Sequence, residues 1–114
     1  MSDVKLMQAF FDSVDAALYV KDEKGRFLLV NRKAAEELNC SEAECIGKSD
    51  YDFLPKEQAE QVISRDRQVR EKGAPVDYEI TIDLPGGKRT VRDHKFAILI
   101  PGHPGAVAGI AIDV

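Results

Sequence analysis

The chain has 114 residues, 44% of them hydrophobic and 32% charged, which suits one globular domain around a single core. A net charge of -4 excludes the basic footprint of a nucleic-acid binder or of a polybasic membrane anchor. No apolar run approaches the roughly 20 residues that span a bilayer, and the opening Met1-Ser2-Asp3-Val4-Lys5 has neither region of a signal peptide, so a cytoplasmic chain without membrane contact is expected.

Residues 1–14 are predicted to form an N-terminal helix ahead of a domain spanning 15–114. Val4, Met7, Phe11 and Val14 recur at helical spacing, with Leu6 and Phe10 beside them, and Ser2 or Asp3 can cap the start. The apolar surface made by Leu6, Met7, Phe10, Phe11 and Val14 is wide for so short a helix. It either covers the core or packs against a second copy, which makes a homodimer the expected assembly.

Ala17–Val20 and Arg26–Val30 read as short strands joined by Asp22-Glu23-Lys24-Gly25, where glycine takes the positive φ of a tight hairpin. Asn31 stands where a helix should open and can accept a bond from a first-turn amide. That helix runs through Ala34, Ala35 and Leu38 to about Asn39. Ser41, with Glu44 three residues on, reads as a capping box for another helical turn that ends at Ile46-Gly47. An irregular stretch from Lys48 to Leu54 follows. Pro55 opens a long helix that stops at Gly73. Its apolar stripe is Ala59, Val62, Ile63 and Val69, and Asp66 lies on the same stripe. A buried carboxylate needs a partner, and Arg92 or Lys95 is the expected one; a ligand's amine or hydroxyl is the alternative.

The last third changes period. Val76, Tyr78, Ile80, Ile82 and Leu84 alternate with polar residues as a half-buried strand, and Pro85-Gly86-Gly87 turns it back. A second long strand is predicted over Lys88–Ile100, with His94, Phe96, Ile98 and Ile100 on one face. After a turn at Pro101–Gly105, Ala106–Val114 forms the final strand. The expected fold is therefore α+β: one five-stranded antiparallel sheet with helices packed on one face and an amphipathic helix in front. A pocket should lie between the sheet and the helices. Tyr78, Ile80, His94, Phe96 and Ile98 are its candidate lining residues, His94 serving either as a hydrogen-bonded core residue or as a ligand contact.

The two cysteines, Cys40 and Cys45, are too few for a disulfide framework and read as reduced, partly buried structural thiols. With His94 or His103 they offer only a poor zinc set, so no metal site is expected. Neither a phosphate-binding glycine loop nor a nucleophile–base spacing is present, and no catalytic residue is assigned.

Taken in order, the Asp22/Gly25 hairpin, Asn31, Ile46-Gly47-Lys48, the Asp50-Tyr51-Asp52-Phe53-Leu54-Pro55 segment, the helix with Asp66 and Gly73, and the three closing strands ending in Asp113-Val114 resemble the PAS family from about Val14 onward. The resemblance implies a sensory or signal-relay module cut from a larger signalling protein, a sensor histidine kinase above all, that binds a small ligand or dimerises to regulate a C-terminal effector. The alternative it implies is a ligandless dimerisation module of a cyclic-di-GMP enzyme or a transcriptional regulator. It also implies structural or signalling roles for Asn31 and Asp66, and a coupling role for Asp113 at the exit to an effector, so the parent protein is expected to continue past Val114. Haem is disfavoured because 56–72 holds no histidine. Flavin is disfavoured because Asn39-Cys40 precedes Gly47 and lacks the following arginine of the photosensors. No cofactor is expected, and an unknown small ligand remains open.

Overall fold

The fold is taken from a computed structural model that describes residues 2–114. Helix α1 (Asp3–Ser13) is followed by strands β1 (Ala17–Lys21) and β2 (Phe27–Val30), helices α2 (Arg32–Leu38) and α3 (Glu42–Cys45), a 3-10 turn at Asp50–Asp52, helix α4 (Lys56–Lys72), and strands β3 (Val76–Leu84), β4 (Gly87–Ala97) and β5 (Val107–Asp113). The strands form one antiparallel sheet in the order β2-β1-β5-β4-β3. β5 therefore enters between β1 and β4, joining the first hairpin to the last.

Local chemistry sets most of these boundaries. The Ser2 hydroxyl accepts the Lys5 amide at the start of α1, and Ser41 and Glu44 close a reciprocal capping box on α3. Gly73, at φ 65°, ends α4 in the left-handed region. Asn31 caps α2 and does more besides. It is fully buried; its Oδ1 accepts from the amides of Leu18 and Ala34, both at 3.0 Å, and its Nδ2 donates to the carbonyls of Phe11 and Ala16 at 3.1 and 2.9 Å. One side chain thus ties α1, β1 and α2 together.

The core has two parts. Ala17, Phe27, Val30, Ala34, Ala35 and Cys45 pack at the α2 end. Leu54, Ala59 and Val62 meet Ile80, Ile82 and Leu84 at the α4 end. Between them lies the site described below. α1 stands apart from both: none of its residues is buried, and Val4, Leu6, Met7 and Phe10 are between 58% and 74% exposed. Phe11 and Val14, at its base, are half-buried against the domain.

Two expectations are corrected. The inward face of β4 is Val91, Asp93 and Lys95, not the row that carries His94 and Phe96. The apolar row is the outer one: Phe96 is half-buried there, and His94 pairs with Asp77 of β3 at 3.0 Å on the surface. β4 also ends at Ala97, leaving Ile98 in the loop to β5. Nor are Cys40 and Cys45 free thiols: they are joined in a disulfide that closes the chain around α3. The single turn of α3 between them, capped by Ser41, brings their Cα atoms to 6.4 Å.

Candidate functional site

Strand alternation gives β1 an inward face of Ala17, Tyr19 and Lys21. Lysine at the end of such a row would normally reach for solvent, yet Lys21 is 1% exposed. Its ammonium instead meets Asp50 Oδ2 at 2.6 Å and Asp66 Oδ2 at 3.0 Å. Asp50 opens the 3-10 turn and Asp66 projects from the apolar stripe of α4, so Lys21 pins both to the sheet. From β4, Lys95 is equally buried and approaches the other Asp66 oxygen at 2.9 Å, off the hydrogen-bond direction, so that contact is chiefly Coulombic. Lys95 also donates to the Tyr19 hydroxyl at 2.6 Å and lies 3.3 Å from Asp93. Asp93 in turn accepts from Tyr19 at 3.0 Å and from Tyr78 of β3 at 3.2 Å.

The result is a continuous buried lattice of two lysines, three aspartates and two tyrosines drawn from β1, β3, β4, α4 and the 3-10 turn. Charges removed from water persist only when so paired. Burial pushes the Asp66 carboxyl up, but Lys21 and Lys95 outweigh it and hold the group below the usual aspartate value. Burial pushes Lys95 down, and Tyr19, Asp66 and Asp93 more than reverse this. Burial raises both the Tyr19 and the Tyr78 hydroxyls, so each stays protonated as a hydrogen-bond donor. Tyr19 fits over β5 because its partner across the ladder is Gly109; a Cβ there would overlap the ring. We expect Gly109→Ala to destabilise the chain by about 1–3 kcal/mol through overpacking and to break the Tyr19–Lys95 contact, read by thermal denaturation and by the tyrosine ring signals in NMR spectra.

Beside this lattice is a cavity of about 70 Å³, room for roughly five water-sized groups. Tyr19, Lys21, Asp50 and Asp93 form its polar floor. Its walls are Phe27 with Ala34 and Leu38 on one side, and Leu54, Val62, Ile80, Ile82 and Leu84 on the other, and Glu37 stands at the end of α2.

The candidates read from the sequence separate clearly here. Ile80 lines the cavity, and Tyr78 reaches its floor through Asp93. His94, Phe96 and Ile98 do not contribute to it. Asp66 has Lys95 as a partner, while Arg92 lies outside with Glu79 at 4.0 Å. Asp113 accepts from Arg89 at 2.8 Å at the end of β5. Lys21, Asp50, Asp93 and Glu37 were missed. The available signal was parity: Lys21 follows Ala17 and Tyr19 at intervals of two, and Asp93 and Lys95 follow Val91. Among the described residues no cluster of histidine, cysteine, aspartate or glutamate is arranged to hold a metal ion.

The chain is similar in sequence to one curated protein and in fold to several solved structures. An uncharacterized protein of Sinorhizobium fredii, y4lL, is 33% identical over 111 residues; the match covers 94% of this chain, which spans only 13% of that relative's length. Among solved structures, VqmA bound to DPO superposes with a TM-score of 0.85 at 19% identity, covering 97% of this chain and 57% of that one. The PAS domain of the Cronobacter turicensis quorum-sensing receptor RpfR, in complex with BDSF, gives 0.75 at 17% identity, covering 90% of this chain and 96% of that one. The family model described as the PAS fold matches residues 11–114, and the chain belongs to that family.

Proposed function

We propose that the chain is the cytoplasmic sensory module of a larger signalling protein, a sensor histidine kinase, that takes a small ligand in its cavity and passes the change to a C-terminal effector. We assign it no catalytic step. The observation that carries the reading is the cavity itself, an apolar chamber with a charged floor set between the sheet and α4. Two of the similar structures hold a ligand, which supports a ligand here without naming it. Native mass spectrometry of the purified chain, with its visible absorption spectrum, tests the reading. A complex heavier by one small molecule, colourless because neither haem nor flavin is bound, is the expected result. A spectrum of either cofactor would overturn the assignment.

A second reading, a ligandless dimerisation module of a cyclic-di-GMP enzyme or transcriptional regulator, draws on α1. Its exposed Val4, Leu6, Met7 and Phe10 favour a homodimer in either case. Deleting residues 1–13 should shift the chain to monomer in light scattering; an unchanged dimer would place the interface elsewhere.

A further inference from the structure

The floor of the cavity is satisfied from within the protein: Tyr19, Lys21, Asp50 and Asp93 bond to one another or to Asp66 and Lys95. Glu37 differs. Its side chain is 7% exposed and it lines the cavity, yet among the described residues its carboxylate makes no hydrogen bond. Among the described residues the cation paired with it is Arg89, whose Nε stands 3.9 Å from Oε2, and Lys33 acts on it from farther off. That Nε is itself buried without a partner, while Arg89 Nη1 is engaged by Asp113 at 2.8 Å. Burial pushes the Glu37 carboxyl up, Arg89 opposes the rise in part, and Asp113 adds to it. Unlike Asp66 Oδ1 and Arg89 Nε, the Glu37 oxygens are not sealed off, so they face accessible space in which water or a ligand's donor can meet them.

The backbone does not let Glu37 escape. The Gly86 amide donates to its carbonyl at 3.0 Å, and a Cβ on Gly86 would stand 2.9 Å from the carbonyl oxygens of Glu36 and Glu37, so the β3–β4 turn is seated directly on the end of α2. The scaffold thus fixes the Glu37 main chain beside the cavity that its side chain lines, and among the described residues the carboxylate accepts no hydrogen bond.

We infer that Glu37 is the recognition group of the cavity, and that the ligand is a small, mostly apolar molecule presenting one O–H or N–H donor to this carboxylate. The inference rests on the proposed reading of the cavity as a ligand site. Charge limits the class further. Lys21, Lys95 and Arg89 against Glu37, Asp50, Asp66, Asp93 and Asp113 leave two negative charges over, so a carboxylate or phosphate ligand would be repelled, and a neutral alcohol, phenol, amide or an amine is accepted. The aliphatic wall of Ile80, Ile82 and Leu84 takes the apolar body.

Phenol and toluene test this directly, since they share a shape and differ in one hydroxyl. Amide and methyl NMR titrations of the whole chain should give a dissociation constant for phenol about tenfold below that for toluene. In Glu37→Leu the ratio should fall to about one with toluene binding intact, and Glu37→Gln, whose carbonyl still accepts, should keep part of the preference. Equal binding of both probes to the wild type, or a phenol preference unchanged in a folded Glu37→Leu, would overturn the assignment of Glu37 while leaving the cavity as a site. Binding of neither probe would overturn the ligand-site reading, and this inference with it.

Discussion

Replacing Asp66 by Asn should cost about 3–5 kcal/mol, on the order of 10–20 °C in Tm. The side chain keeps its volume, but two fully buried ammonium groups lose their shared counter-charge. Lys21 is left with Asp50, and Lys95 with Asp93 and Tyr19. Most of the loss is the cost of leaving those charges under-compensated, so a second change that removes one of them should recover part of it. Asp66→Asn combined with Lys95→Met should be less destabilised than the sum of the single variants, the coupling expected of groups in one network. The effect has a pH signature. Asp66 is held below its ordinary 3.8, so the stability that its ionisation contributes is complete above that value and is lost as pH falls through the lowered folded-state value. Urea titrations from pH 7 down to pH 2 should show this acid limb in the wild type and not in Asp66→Asn. A single variant that melts within 2–3 °C of the wild type would show that the lattice is incidental to the fold.

Asn31→Ala should be nearly as damaging, about 3–4 kcal/mol. The loss of the helix cap accounts for roughly 1 kcal/mol. The remainder comes from the Leu18 amide and the carbonyls of Phe11 and Ala16, which lose their side-chain partner at a position with no access to water. Asn31→Asp separates the two halves of the clamp, because a carboxylate still accepts from Leu18 and Ala34 but no longer donates to Phe11 and Ala16. Hydrogen exchange should then remain slow at the Leu18 and Ala34 amides in Asn31→Asp and become fast in Asn31→Ala. Equal protection in both variants would mean that the Asn31 Oδ1 protects neither amide.

Much of the fold was legible because local rules and burial agreed. The capping residues Ser2, Asn31 and Ser41, the stop at Gly73 and the alternation from Val76 to Leu84 each describe an element that the chain forms. β4 broke the rule that the apolar row of a strand faces inward. Its inner row carries Asp93 and Lys95 because each finds a buried partner on a distant element, and pairing across 74 residues, as between Tyr19 and Asp93, leaves no periodic trace in the sequence. Asp66 was visible as an anomaly for the same reason that its partners were not: a carboxylate breaks an apolar helical stripe, whereas Lys21 and Asp50 sit in short segments where charge is ordinary. The disulfide escaped because two cysteines make no framework in the sequence, and their reach depends on the single turn of α3 that folds Cys45 back toward Cys40.

The central claim is that the chamber between the sheet and α4 is where this protein meets its signal. A crystal structure of the chain purified without denaturation, followed by a soak in phenol, tests it most directly. The account predicts density for a small molecule bounded by Phe27, Ile80 and Leu84, with a donor atom within hydrogen-bonding distance of Glu37. A chamber that holds only ordered water before the soak and admits no phenol after it would contradict the account.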